Sequence, residues 1–139
     1  MNILIIGSGG REHAIAMALS KSPRKNQLFA LPGNPGISEY CECIDIDPSN
    51  FREIKNFSKN NNIDLVIVGP EVPICEGITD YLKEYKIDVF APSLEASKLE
   101  SSKKFTKEIA FENNIPTGEA KWFDNYADAC LYLEKLEAP

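Results

Sequence analysis

A glycine-rich segment near the start of the chain, residues 7–13 (GSGGREH), combines residue types that could hold an anion. Gly9 and Gly10 would let the backbone turn tightly and approach a ligand, and the first N–H groups of a following helix have no partner within that helix. Arg11 could pair with a phosphate through two parallel hydrogen bonds, whereas Glu12 suits the first turn of a helix whatever its function. The segment predicts a phosphate-binding turn, with a plain strand-to-helix connection as the alternative.

A dinucleotide site is the usual interpretation of a glycine-rich turn after a first strand, and this segment fits it poorly. The pattern G-x-G-x-x-G requires glycine at position 12, where Glu12 stands. Leu31 and Pro32 occupy the place after the second strand where an acidic residue would bind the ribose. These residues disfavour a nicotinamide-dependent oxidoreductase domain, which we keep as a rival.

The single histidine and the four cysteines do not indicate a catalytic or metal centre. His13 has no recognisable partners for a Ser/His/Asp or Cys/His arrangement, and we interpret it as structural. Cys41 and Cys43 are separated by one residue, which fits neither a CxxC redox motif nor a paired zinc knuckle. We expect all four cysteines to be free thiols in a reducing compartment.

Two further loops follow predicted strands. Residues 32–36 (PGNPG) form a tight turn that contains Asn34, and residues 69–73 (GPEVP) follow the most apolar strand. The carboxylate of Glu71 could accept hydrogen bonds from sugar hydroxyls or from an amine. Because ligands bind at the carboxyl ends of parallel strands, the two loops could share a site with residues 7–13, although each alone is equally well a turn.

Apolar runs alternate with amphipathic stretches along the first part of the chain, as in βαβ units. The pattern predicts an α/β fold, an open and mostly parallel sheet with helices on both faces, over residues 1–100. Its strands are predicted at 3–6, 28–31, 43–46, 64–68 and 88–90, and its helices at 12–21, 51–60 and 77–85. Residues 101–139 are predicted to be a linker helix and the start of a second domain. A long helix is expected over 94–113, across this boundary, followed by a strand at 121–123 and a helix over 126–137.

Composition excludes several classes of function. The chain has 139 residues and a net charge of −6, which argues against a nucleic-acid partner. It has neither an export signal nor an apolar run long enough to cross a bilayer. We therefore expect a cytoplasmic protein without a membrane partner. The sequence does not determine the oligomeric state, and a monomer is our expectation.

Taken in order, these segments resemble the glycinamide ribonucleotide synthetases, the phosphoribosylamine–glycine ligases. The resemblance rests on GSGGREHA at residues 7–14, PGNPG at 32–36, GPE-x-P at 69–73 and F-x-P-x-x-x-A-x-x-L-E-x-S-K-x-F-x-K at 90–107. It covers essentially the whole chain. Each segment is weak evidence alone, but their order and spacing are specific.

The resemblance implies a Rossmann-like pre-ATP-grasp domain followed by the beginning of an ATP-grasp domain. It implies ATP-dependent joining of glycine to 5-phosphoribosylamine, with Mg²⁺ or Mn²⁺ bridging the ATP phosphates. It places Lys103 at the ATP, and it assigns to the acceptor substrate the residues Gly9, Gly10, Arg11, Glu12, Asn34, Gly69, Pro70 and Glu71.

The resemblance also implies that glycine and metal ligands lie in sequence beyond Pro139, so we expect this polypeptide alone to lack ligase activity. Two alternatives stay open besides the oxidoreductase. One is another ATP-grasp carboxylate–amine ligase of the same architecture. The other is a non-catalytic ligand-binding module that keeps the fold without the chemistry.

Overall fold

The computed structural model describes residues 1–136, which fall into two compact units. The first unit is Met1–Ser101, and the second begins at Ser102.

The first unit is built on a sheet of five parallel strands in the order β3-β2-β1-β4-β5. The strands are β1 (Asn2–Gly7), β2 (Gln27–Pro32), β3 (Glu42–Cys43), β4 (Leu65–Val68) and β5 (Val89–Phe90). The helices are α1 (Gly10–Ser20), α2 (Phe51–Asn60), α3 (Glu71–Cys75), α4 (Ile78–Glu84) and α5 (Leu94–Ser101), with a 3₁₀ turn at Ile37–Glu39. This architecture confirms the α/β fold with a parallel sheet.

Apolar side chains on both faces of the strands bury the sheet between helices. Successive side chains of a strand point to opposite faces, so Leu4 and Ile6 of β1 join one core cluster while Ile3 and Ile5 join another. The first cluster includes Ile54 of α2 and residues of α4, and the second includes residues of α1. The predicted helices on both faces are therefore present.

The direction in which the chain adds strands to the sheet reverses between β1 and β4, and we call this position the crossing point. From β1 the chain moves outward through β2 to β3, then returns to the other side of β1 to form β4 and β5. In such open parallel sheets the crevice beyond the carboxyl ends of the two central strands is the usual ligand site. The register sets Ile6 beside Val68 and Gly7 beside Pro32, so the loops after β1, β2 and β4 start at one edge.

Two predictions in the first unit differ from the structure. The strand expected at 43–46 is shorter, because the N–H of Ile46 donates to the carbonyl of Ile44 and the chain turns away from β2. The loop expected at 69–73 is only partly a loop, because the short helix α3 begins inside it at Glu71 and runs to Cys75. Pro73 is compatible with that helix because a first-turn residue needs no intrahelical N–H partner.

The long helix expected over 94–113 is interrupted at Ser102. Ser102 has extended backbone angles and accepts a hydrogen bond from the N–H of Phe105, so it caps a new helix, α6 (Lys103–Glu112). Helices α5 and α6 are thus separate elements.

The second unit contains α6 and α7 (Tyr126–Leu133). The strand expected at 121–123 does not form there; instead the rings of Phe123 and Tyr132 pack with centroids 5.3 Å apart. The helix predicted over 126–137 ends earlier, at Leu133, and residue 137 lies outside the described residues. No helix within residues 1–136 is long and apolar enough to cross a membrane.

Candidate functional site

Three loops are held together at the carboxyl edge of the sheet by backbone hydrogen bonds. The N–H of Gly33 donates to the carbonyl of Gly7 at 3.2 Å, and the N–H of Gly69 donates to the carbonyl of Ile6 at 3.1 Å. These contacts extend the β1 ladder into the loops on either side. They fix the starting points of all three loops relative to one another.

The first loop leads directly into helix α1. Gly9 is the N-cap, and its carbonyl accepts the helical hydrogen bond from the N–H of His13 at 3.1 Å. The N–H groups of Gly10, Arg11 and Glu12 precede that bond and have no intrahelical partner. They also lie at the positive end of the helix dipole, so this edge of the sheet presents hydrogen-bond donors.

Glu12 is buried beneath the first loop, although its residue type is usually exposed. Only 5% of it is accessible, and its Oε2 accepts a hydrogen bond from the N–H of Gly9 at 2.7 Å. A glutamate at the third helical position that reaches back to the N-cap N–H is one half of a capping box. The same carboxylate lies against Gly69 of the third loop, so it touches both sides of the crossing point.

Arg11 connects the first loop to the third on the exposed side. Its Nη1 donates to the carbonyl of Gly69 at 2.6 Å, and its Nη2 lies 3.3 Å from Oε1 of Glu71. Both charged side chains remain more than half exposed, so this ion pair is open to solvent and to a ligand. The pairing brings together residues that are sixty positions apart in the sequence.

The pKa of Glu71 lies below its ordinary value. The first cause is the hydrogen bond from the residue's own backbone N–H at the start of α3, and the second is the guanidinium of Arg11. Both stabilise the charged form. Glu71 is therefore a carboxylate at neutral pH and a ready acceptor for hydroxyl or amine donors.

These groups surround a cavity of about 430 Å³ in the first unit. Its lining residues are Ser8, Gly9, Gly10, Arg11, Glu12, Gly69, Pro70 and Glu71. Seven of them are predicted substrate residues. Ser8 also lines the cavity, although it was not among the predicted substrate residues. Its position between Gly7 and Gly9, within the glycine-rich segment, could have indicated it.

Asn34, the remaining predicted substrate residue, is not among those lining residues. Its Nδ2 donates to the carbonyl of Ser8 at 2.7 Å, and its Oδ1 accepts from the N–H of Ile37 at 2.9 Å. Both ends of the amide are thus engaged in joining the second loop to the first. His13 lies nearby with its ring centroid 5.7 Å from that of Tyr40, which agrees with a packing role.

Lys103, the predicted ATP residue, lies in the second unit at the start of α6. It lines a separate cavity of about 240 Å³ together with Lys104, Lys107, Ala120, Lys121 and Trp122. The Nζ of Lys104 lies 5.6 Å from the centroid of the Trp122 ring. This distance is within the range of a cation–π contact.

The cysteines are free thiols, and burial together with neighbouring Cys43 raises the pKa of Cys41 to about 11. Within residues 1–136 no cluster of three or more His, Cys, Asp or Glu side chains could hold a metal ion.

Comparison with known proteins identifies the family. The model of the phosphoribosylglycinamide synthetase N domain matches residues 1–100. The chain is 42% identical over 139 residues to the phosphoribosylamine–glycine ligase of Caldanaerobacter subterraneus subsp. tengcongensis, and 44% identical to that of Mesorhizobium japonicum. Each alignment covers 100% of this chain and 33% of the relative, so the chain spans about a third of the length of these curated relatives.

Solved structures agree with this comparison. The phosphoribosylamine–glycine ligase of Thermotoga maritima superposes with a TM-score of 0.61 at 25% identity, over 86% of this chain and 26% of that one. The phosphoribosylglycinamide synthetase of Anaerococcus prevotii gives 0.60 at 19% identity over 99% of this chain and 35% of that one, which supports the fold. The chain therefore belongs to the phosphoribosylglycinamide synthetase family, whose N domain it contains.

Proposed function

We propose that the protein containing this chain joins glycine to 5-phosphoribosylamine in de novo purine biosynthesis. The carboxylate of glycine would attack the γ-phosphate of ATP, giving an acyl phosphate and ADP. The amine of the ribosylamine would then attack the acyl carbon, and phosphate would leave with formation of glycinamide ribonucleotide. Support comes from the whole-length match of this chain to relatives named phosphoribosylamine–glycine ligase.

The cavity at the edge of the sheet is our candidate for the acceptor site. The observation that carries this assignment is the Arg11–Glu71 pair beside the N-terminal amides of α1. It places the negatively charged Glu71 carboxylate in the same cavity as backbone N–H groups that have no partner within the helix. The Glu71 carboxylate would accept hydrogen bonds from the ribose hydroxyls or the amine. The N–H groups of Gly10 and Arg11 would donate to oxygen atoms of the sugar phosphate.

The other residues assigned to the acceptor would shape the site. Gly9, Gly69 and Pro70 would form its walls, and the buried Glu12 would support Gly9 and Gly69 from behind. Asn34 would act by holding the second loop against Ser8. No reaction step is assigned to any of these five residues.

Lys103 is our candidate for an ATP contact in the second unit, which would be the start of an ATP-grasp domain. Its ammonium group would bind a phosphate as a compact positive charge. Mg²⁺ or Mn²⁺ would offset the charge of the ATP phosphates. The described residues do not fit a metal site, so no step is assigned to a metal held by this part of the chain.

The negative net charge supports a protein that works on small molecules and not on nucleic acid. We propose no membrane partner. We propose a cytoplasmic monomer.

Titration of the isotopically labelled chain, followed by NMR, tests the acceptor site. Ribose 5-phosphate serves as a stable probe of the acceptor, and NAD tests the oxidoreductase rival. We expect ribose 5-phosphate to shift the backbone signals of Gly10, Arg11 and Glu71, and NAD to leave them in place. Shifts with NAD but none with ribose 5-phosphate would favour the rival. The rival is also disfavoured structurally, because the buried side chain of Glu12 stands where the third glycine of a dinucleotide fingerprint would allow close packing of the helix on the strand.

A ligase assay of the complete protein, with glycine, ATP and freshly formed phosphoribosylamine, tests the activity. It also separates the glycine ligase from other carboxylate–amine ligases and from a non-catalytic binding module, because only the first should consume glycine. The 139-residue chain alone should show no turnover.

A further inference from the structure

We infer that Glu12 is a positioning residue of the acceptor pocket, which acts through Gly9 and Gly69 and makes no direct contact with the substrate. The inference rests on the proposed function of the pocket. In this role the buried carboxylate sets the spacing between the first and third loops. That spacing places the amides of α1 opposite Glu71.

Burial separates the roles of the two acidic side chains of the pocket. Glu12 is 5% accessible, whereas the side chain of Glu71 is 51% accessible. Because Oε2 of Glu12 already accepts the Gly9 N–H at 2.7 Å, this oxygen is committed to the protein itself. A charge-assisted hydrogen bond of this kind orients the loop that carries the donor.

The glycines around Glu12 give independent evidence for this role. A Cβ built on Gly7 would lie 2.7 Å from Cδ of Glu12, and one built on Gly9 would lie 3.0 Å from Oε2. A Cβ on Gly69 would overlap Oε1 of the same carboxylate. One side chain therefore fills the space that side chains at three glycine positions in two loops would need.

Gly69 shows that the Glu12 side chain can require glycine at a position where the backbone conformation does not. Gly7 has a φ of +128°, so it would favour glycine whatever its neighbours. Gly69 does not have a positive φ, so the requirement for glycine there comes from the Glu12 carboxylate. Gly10, by contrast, has nothing within 4 Å of a Cβ and needs glycine for neither reason.

Paired substitutions test the packing part of the inference through melting temperature. Gly69→Ala should lower the melting temperature clearly, and Gly10→Ala should have little effect on it. Combining Gly69→Ala with Glu12→Ala should destabilise the chain less than the sum of the two single changes, because the smaller residue at position 12 makes room for the new Cβ. Strict additivity would overturn the inference.

Kinetics of the complete protein test the positioning part. Glu12→Gln keeps a side-chain carbonyl that can accept the Gly9 N–H, whereas Glu12→Ala removes it. We expect Glu12→Ala to raise the KM for phosphoribosylamine about tenfold and Glu12→Gln to raise it no more than about threefold, since a neutral acceptor preserves most of such a contact. The KM for ATP should change little in either variant. Gly118→Ala, an exposed glycine replacement in the second unit, serves as the control.

Two results would separate failure of the inference from failure of the proposed site. If Glu12→Gln impairs the acceptor KM as much as Glu12→Ala, the charge itself contacts the substrate and the inference fails. If Glu71→Gln leaves the acceptor KM unchanged, the assignment of the pocket fails. If Glu12→Gln keeps the acceptor KM close to its original value and Glu71→Gln raises it, both the inference and the assignment of the pocket are supported.

Discussion

The guanidinium of Arg11 binds Glu71 across the crossing point of the sheet, with Nη2 3.3 Å from Oε1. The same group donates from Nη1 to the carbonyl of Gly69 at 2.6 Å, so Arg11 contacts the third loop at two points. Together with the buried Glu12 carboxylate, it joins the loop after β1 to the loop after β4. The candidate acceptor pocket depends on these two links.

Replacement of Glu71 by glutamine should affect the acceptor more than the nucleotide. The change removes the negative charge but keeps the shape, so hydrogen bonds to a sugar hydroxyl or an amine weaken. In the complete protein we expect the KM for phosphoribosylamine to rise about tenfold, the usual order for a lost charged hydrogen bond. The KM for ATP should stay near its original value. Glu84→Gln, on the exposed part of α4, is the matched control, and equal effects on both substrates would contradict the assignment.

The lowered pKa of Glu71 predicts the pH range of binding. Because the folded pKa lies below the ordinary carboxyl value, the charged form and its pairing with Arg11 are present above that value. They are lost only as the pH falls through the lowered folded pKa. Binding of ribose 5-phosphate should follow the same titration, measured by NMR of the Glu71 carboxyl carbon.

Arg11→Met should raise the pKa of Glu71 but leave it below the ordinary value. The first cause of the lowering is the backbone N–H of Glu71 itself, and that hydrogen bond survives the substitution. A carboxyl titration of the variant tests this point. Full return to the ordinary value would mean that Arg11 alone is responsible.

Replacement of Lys103 by alanine should affect the nucleotide more than the acceptor. Loss of a single ammonium contact to a phosphate is expected to raise the KM for ATP about tenfold in the complete protein, the order of one charge-assisted hydrogen bond. The KM for phosphoribosylamine should change by much less. Lys83→Ala, on the exposed part of α4, controls for the loss of a surface charge. A larger effect on the acceptor than on ATP would contradict the assignment.

Asn34→Ala should destabilise the loops without removing any pocket wall. The side chain joins the carbonyl of Ser8 to the N–H of Ile37, and both contacts disappear. We expect a loss of about 1–2 kcal/mol in the free energy of unfolding, the order of one or two hydrogen bonds, measured by urea denaturation. Asn60→Ala, at the exposed end of α2, is the control and should change stability by less.

Most element types of the first unit follow from the amino-acid sequence, because hydrophobic periodicity and turn chemistry are local properties; the short helix α3, expected as a loop, is an exception. The apolar runs predict β1, β2 and β4, and the glycine residues predict the turns that follow them. The segments at 7–14, 32–36, 69–73 and 90–107, in this order along the chain, also indicate the family. The match to the N-domain family model confirms it. Local patterns were less reliable where an element depends on its neighbours, as at the short β3 and at 121–123.

Tertiary structure alone decided how the pocket is built. Arg11 and Glu71 lie sixty positions apart, and only the strand order, with β4 beside β1, brings them into contact. The same order buries Glu12 against Gly69, so a residue that the sequence shows only as a favourable first-turn glutamate becomes the link between two loops. No period along the chain encodes such pairings, because they arise from which strands align and in what register.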